Sequence, residues 1–411
     1  MINKKASSEE IDKIKRRNLG ALFFCNLLFG IGGGMFNIVY QPFVLDLTNS
    51  ILITGIIITI GGIVQFLPLP FIGRISDRIG RKKLILGGIS FYITGLLFLI
   101  FSNSTFIAFV VIGMVLYFLG VAMHSVNINI FVSENSDKSK GLLYGLMFFS
   151  YFGGTIFGSF FVLIGKALDT RFFFQIFIYL LIIEASIIIF VISEKFHPHK
   201  NPKINSNNTD TSRQSVWRKI MQTPKNKAIL IFFSLDLFIY SIGLSIYSAG
   251  LRDFYHITRE ELALITIVFN FSNMLFQIPG GHLADKIGKK KSLILSQVFG
   301  LVFFFLNILA FFIWVGGFEA ILMPALIISH IPFAMSVCTF IPSEQLSLTD
   351  LDDTRKAESY GIVGFIRGIG FIPTGYIGGF LMENVNYVAP LIISFVLIFL
   401  EIWYLFKYFQ D

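Results

Sequence analysis

The sequence predicts an all-α membrane protein whose twelve transmembrane helices form two pseudo-symmetric six-helix bundles. Three observations carry that expectation: a composition too apolar for a water-soluble globule, twelve apolar runs long enough to cross a bilayer, and a glycine-containing basic motif that recurs 208 residues later.

Of the 411 residues 55% are hydrophobic, and setting aside the 14 Tyr while adding the 36 Gly gives about 60%, against roughly 45–50% in soluble domains. Charged residues make up 14%, too few to cover a globule of this size, so most of the outside must face lipid. Cys25 and Cys338 both sit in apolar runs, which gives neither a disulfide framework nor a metal-ligand spacing.

A bilayer core of about 30 Å needs roughly 20 apolar residues per helix. Windows of that size place α1 at 19–45, α2 at 51–72, α3 at 84–101, α4 at 106–132, α5 at 141–165 and α6 at 172–193. They place α7 at 228–251, α8 at 260–280, α9 at 292–314, α10 at 319–344, α11 at 357–381 and α12 at 387–406. Backbone in lipid must satisfy its hydrogen bonds internally, and a barrel would show shorter alternating segments, so these runs are helices.

Charge fixes the orientation. With the N-terminus inside, the cytoplasmic segments hold 28 of the 33 Lys and Arg, while the external loops hold Lys166, Arg171, Arg252 and Arg259, and Arg367 is left within α11. Such a bias points to cytoplasmic termini. The net charge of +8 is thereby an orientation device, and nucleic acid is not an expected partner. Residues 1–18 mix Glu9, Glu10 and Asp12 with their basic residues, unlike a secretory leader, so cleavage is not expected. The polar stretch 194–227 reads as a flexible cytoplasmic linker between an N-terminal bundle, 1–193, and a C-terminal bundle, 228–411.

An internal repeat supports that division. Gly73-Arg-Ile-Ser-Asp77-Arg-Ile-Gly80-Arg81-Lys82-Lys83 follows α2, and Gly281-His-Leu-Ala-Asp285-Lys-Ile-Gly288-Lys289-Lys290-Lys291 follows α8. Gly141-x-x-Tyr144-Gly145 opens α5 as Ala357-x-x-Tyr360-Gly361 opens α11, and Glu184 in α6 stands 217 residues before Glu401 in α12. Duplication of a six-helix unit accounts for all three pairs.

On these residues the chain resembles a major facilitator superfamily transporter over essentially its whole length, Gly73 to Lys83 being similar to that family's signature loop. Gly73 and Gly80 are read as allowing the reversal between α2 and α3, with Arg81 among the basic residues holding it at the surface. The resemblance implies that Asp77 approaches the N-terminal end of α11, where the helix dipole favours negative charge, and latches the outward-open state. The alternative is that the loop only fixes topology.

The resemblance also implies a midplane cavity lined by α1, α4, α7 and α10, with α2, α5, α8 and α11 beside them. α1 carries Asn26, Gly30, Gly33, Asn37 and Gln41 on one face, α4 carries Gly113, Tyr117, Gly120, His124 and Asn127, and α7 carries Asp236, Tyr240, Gly243, Tyr247 and Gly250. Ser336 in α10 and Asn273 in α8 complete the expected cavity. The competing reading of such stripes is helix packing. Charges inside a membrane are functional candidates, and Asp236 and Arg367 lie at similar depth, so they are expected to pair for coupling or as a fixed structural bridge. Glu184 and Glu401 are read as sharing a structural role, and His124 either titrates or packs.

The chain departs from the family's proton-coupled drug exporters in two places. α4 has no Arg or Lys, with Gly113 near the expected position, and in α5 Ser159 replaces the Pro of the Gly-Pro step while Val162-Leu163 replace a trailing Gly-Gly. No Lys-Ser or Lys-Thr follows Gly32-Gly33-Gly34, and His-Glu-x-x-His is missing, so ATP hydrolysis and zinc catalysis are not expected. His197-Pro-His199 in the linker is not read as a metal site.

The expectation is therefore a secondary active transporter moving a small organic solute by alternating access, with a coupling proton and a preference for export of amphipathic compounds, because the polar stripes are mixed with Phe and Tyr. Import of a sugar or other nutrient is the alternative transport reading, and a non-transporting membrane sensor is the alternative from another class. No enzymatic activity, cofactor or metal is expected. The protein is expected in the plasma membrane, working as a monomer.

Overall fold

The computed structural model describes residues 8–135, 140–194, 223–349 and 356–409, together with Arg218 and Met221. Most of the expected linker, including His197 and His199, lies outside the described residues.

Twelve helices among the described residues are long and apolar enough to cross a membrane. They are α1 Glu9–Thr48, α2 Ile51–Ile79, α3 Arg81–Ile100, α4 Ile107–Val132, α5 Gly145–Ile164 and α6 Thr170–Phe190. The second set is α7 Pro224–Tyr255, α8 Arg259–Ala284, α9 Lys289–Val315, α10 Glu319–Glu344, α11 Glu358–Asn384 and α12 Ala389–Tyr408. Phe71, Phe157, Phe190, Phe312 and Phe406 are among many large apolar side chains left exposed on the outside, as lipid requires. The chain is an integral multi-pass membrane protein.

Several helices outrun their apolar windows. α1 begins ten residues earlier than its apolar run, because Lys and Glu are good helix formers and extending an existing helix costs little. α2 continues to Ile79 after a break at Leu67 and Pro68, so Gly73 lies inside the helix and does not form the reversal. The turn is made by Gly80 alone, at φ 98°, and its repeat counterpart Gly288 stands at φ 85°, a region that costs an L side chain but not glycine.

Packing repeats with the sequence. α1 lies against α5 and α6, α2 and α3 against α4, and α3 against α6. α7 lies in the same way against α11 and α12, α8 and α9 against α10, and α9 against α12. The two bundles meet along two seams, α2 on α11 and α5 on α8. The α2–α11 seam is a backbone contact: a Cβ on Gly55 would sit 2.2 Å from the carbonyl oxygen of Gly375, and one on Gly361 would sit 2.4 Å from that of Leu69.

Below, the terminal face is the end of the bundle where α1 begins and α12 ends. The far face is the other.

Candidate functional site

Residues of the N-terminal bundle line an open cavity of about 360 Å³. Its wall is built from rings: Phe29, Phe36 and Tyr40 on α1, Tyr92 on α3, Tyr117 and Phe118 on α4, and Tyr151 on α5. Phe36 stacks on Tyr117 at a centroid separation of 4.0 Å, and Tyr117 meets Tyr92 edge to face at 4.9 Å. Polar groups reach the wall at Asn26, Asn37, Gln65, His124, Ser125 and Asn129. A mostly apolar wall with a few placed polar groups is the usual make-up of a small-molecule site.

His124 stacks on Phe29 at 4.7 Å and turns its Nε2 to Glu184 Oε1 at 2.8 Å. Both side chains are buried, and Glu184 reaches the pair from α6 behind the cavity wall. Burial of these two polar groups is tolerable because each partners the other.

The expected α4 stripe is divided between two tasks. Gly113 and Gly120 pack on Gly95 and Gly88 of α3, where a Cβ on Gly95 would lie 2.7 Å from the Gly113 carbonyl. Tyr117 and His124 of the same helix meet the cavity. On α1, Gly30 packs on α5, whereas Asn26, Gly33 and Asn37 face the cavity.

Five expected cavity residues hydrogen-bond within the C-terminal bundle. Asp236 accepts from Gln297 Nε2 at 3.0 Å, and Tyr240 donates to Gln297 Oε1 at 2.9 Å. Tyr247 donates to Asn307 at 2.5 Å, Ser336 pairs with Ser296 at 3.2 Å, and Asn273 meets Cys338 Sγ. The reason is local. α9 places Ser296, Gln297 and Asn307 opposite four of these side chains and α10 places Cys338 opposite Asn273, and a buried polar group takes the partner at hand.

Arg367 acts on Asp236 electrostatically and makes its ion pair with Glu344. Arg367 donates to Glu344, a buried carboxylate at the end of α10, while Glu401 of α12 is buried in the neighbourhood of Asp236, with neither carboxyl oxygen hydrogen-bonded among the described residues. Gln297 and Glu344 were missed in the sequence because a single polar residue in an apolar run gives no spacing to read.

The bundles are bridged at both faces. At the terminal face Asp77 accepts from the backbone N–H of Glu358 at 3.2 Å and from Arg81 at 2.7 Å, and Arg74 pairs with Glu358 at 3.0 Å. Arg81 also holds Glu134 at 2.7 Å and Ser76 at 2.7 Å. Ser76 in turn bonds Asn127, so Asn127 braces this network and is not on the cavity wall described above.

Gln41 likewise serves the far face. Its Nε2 donates to the Ser245 carbonyl at 2.9 Å, and its Oε1 accepts from Ala249 N at 3.2 Å. α7 is interrupted there, at Ser245 and Ile246, so the amide of Gln41 satisfies both backbone groups of one missing helical turn. Arg259 donates to the carbonyls of Leu168 and Lys166, both at 3.0 Å, and Glu383 accepts from Leu52 N at 2.7 Å.

The sequence model of the Major Facilitator Superfamily matches residues 22–252 and 228–411. The chain is 24% identical over 389 residues to an uncharacterised MFS-type transporter of Methanocaldococcus jannaschii, covering 92% of this chain and 91% of that one. It is 32% identical over 128 residues to the quinolone resistance protein NorA of Staphylococcus aureus, covering 31% of this chain and 30% of that one. In fold it is similar to the xylose transporter XylE of E. coli in a partially occluded inward-open conformation, with TM-score 0.73 at 15% identity over 97% of this chain and 98% of that chain. The human organic anion transporter MFSD10 gives TM-score 0.68 at 13% identity over 95% and 99%.

Proposed function

The chain belongs to the Major Facilitator Superfamily, a family of transporters rather than enzymes, and from that premise we propose that it is a secondary active exporter of amphipathic organic compounds, driven by protons. The observation that carries the substrate class is the cavity wall. Rings from α1, α3, α4 and α5 offer stacking surface to a planar apolar body, while Asn26, Asn37 and His124 offer a few polar contacts to its head. The partial likeness to NorA, named as a quinolone resistance protein, favours the same direction.

Proton coupling is supported by Asp236 and Glu401. Two buried acidic side chains near each other in a membrane core are costly without a function. Alternating access moves residues 1–193 against 228–411, joined by 194–227, with the solute reached from each side in turn. The excess of Lys and Arg on the terminal side supports cytoplasmic termini in the plasma membrane. One chain holds the whole cavity, so a monomer suffices.

Sugar import is the second reading, because Asn26, Asn37 and Gln65 line the same cavity and amides bind hydroxyls. Solute-induced proton movement in proteoliposomes decides between them, with lipophilic cations, sugars and organic acids tried in turn. Proton flux with the cations, lost in Asp236→Asn, is the expected result. Flux with sugars alone would replace the exporter by the importer, and no flux with any solute would remove proton coupling for that panel.

A further inference from the structure

We infer that Glu383 is a second latch, reciprocal to Asp77, so that the α2–α11 seam carries one carboxylate lock at each end. At the terminal face Asp77, near the end of α2, accepts from the N–H of Glu358 in the first turn of α11 at 3.2 Å. At the far face the roles are exchanged. Glu383, near the end of α11, accepts from Leu52 N in the first turn of α2 at 2.7 Å and from Ser50 Oγ at 2.9 Å.

Each bundle therefore gives a carboxylate to the opening turn of a helix in the other. The first N–H groups of a helix have no partner within it and form the positive end of its dipole, so a carboxylate is favoured there on both counts. Ser50 is the N-cap of α2: it accepts from Ile53 N at 3.2 Å while donating to Glu383. The cap of α2 is thus shared between the bundles and is completed only while the far face is closed.

The role assigned to Glu383 rests on the alternating-access reading. If the bundles rock about their seams, parting at the far face strips Leu52 of its carboxylate, and parting at the terminal face strips Glu358 of Asp77. The two locks then act in opposite senses on one equilibrium. Gln41 on Ser245, Arg259 on Leu168 and the Asp46–Arg252 pair at 3.9 Å also bridge the far face, so loss of Glu383 shifts the balance without abolishing closure.

The test uses the full chain in lipid nanodiscs and needs no substrate. Spin labels are attached after Ser104→Cys and Glu319→Cys at the far face, or after Lys83→Cys and Lys291→Cys at the terminal face, all four positions being exposed. Cys25 and Cys338 are buried. Distances are then read by pulsed electron resonance. Glu383→Gln is expected to raise the long-distance fraction at the far face several-fold, Ser50→Ala to raise it less, and Asp77→Asn to move it the other way and open the terminal face. Glu383→Asp restores part of the wild-type distribution.

If Asp77→Asn opens the terminal face while Glu383→Gln and Ser50→Ala leave the far face unchanged, Glu383 is no latch. A shift of both carboxylate variants in the same sense also overturns the assignment. A single fixed distance at both faces in every variant would remove alternating access itself, and the latch with it.

Discussion

Glu184 and Glu401 hold corresponding places in α6 and α12, 217 residues apart, yet Glu184 meets a histidine while Glu401 has no hydrogen-bond partner among the described residues. The His124–Glu184 separation is 2.8 Å, whereas both carboxyl oxygens of Glu401 are buried and unpartnered in the neighbourhood of Asp236. Glu401→Gln is accordingly expected to stop solute-driven proton movement while leaving solute exchange across proteoliposomes intact. Glu184→Gln should leave proton movement in place and lower the melting temperature. The reverse pattern in the same two assays would put coupling in the N-terminal bundle.

Arg367 and Glu344 are the ion pair that Asp236 and Arg367 were expected to form. Removing Arg367, which is 24% exposed, leaves buried Glu344 uncompensated, at a cost below the about 3–5 kcal/mol of a fully buried pair, whereas neutralising both is far milder. Arg367→Ala should therefore lower thermal stability more than the double change Arg367→Gln with Glu344→Gln. Additive losses in that cycle would mean that the two groups do not interact.

The rings of the cavity make a graded prediction. Tyr92→Leu and Tyr117→Leu should each weaken binding of a planar lipophilic cation by roughly 2- to 10-fold, the range of an aromatic contact of about 0.5–1.5 kcal/mol. Tyr117→Phe keeps the ring and should bind nearly as well. Equal losses in Phe and Leu variants, measured by quenching of a fluorescent ligand, would transfer the effect from the ring to the hydroxyl.

Gln41 is placed to report the break in α7. Gln41→Leu removes both bonds to the interrupted turn and should cost about 1–3 kcal/mol, the usual consequence of stranding a buried polar group. Hydrogen exchange at the Ala249 amide is the direct readout and is expected to quicken. Unchanged exchange would mean that the turn re-forms its own backbone bond.

The twelve spans, their repeat and the Asp77 loop were legible because each is written locally, in apolar length, in spacing or in a motif. The partners of the polar residues were not legible. Asn37 and His124 lie on the wall of the N-terminal cavity, and Asp236, Tyr240, Tyr247, Asn273 and Ser336 have hydrogen-bond partners within their own bundle that helical spacing cannot reveal. Which face of a helix meets which neighbour depends on its rotation in the bundle. Gln297 and Glu344 became informative only once α9 and α10 had been set beside α7 and α11.

The backbone contact along α2 and α11 bears on speed as well as on balance. Where Gly55 meets Gly375 and Gly361 meets Leu69, no side chain on either glycine interdigitates across the seam. One helix can then slide on the other with few rotamers to exchange, which keeps the barrier low. A methyl group at Gly375, 2.5 Å from the Gly55 carbonyl, would act as grit in a bearing: turnover should slow by more than the shift in resting populations explains.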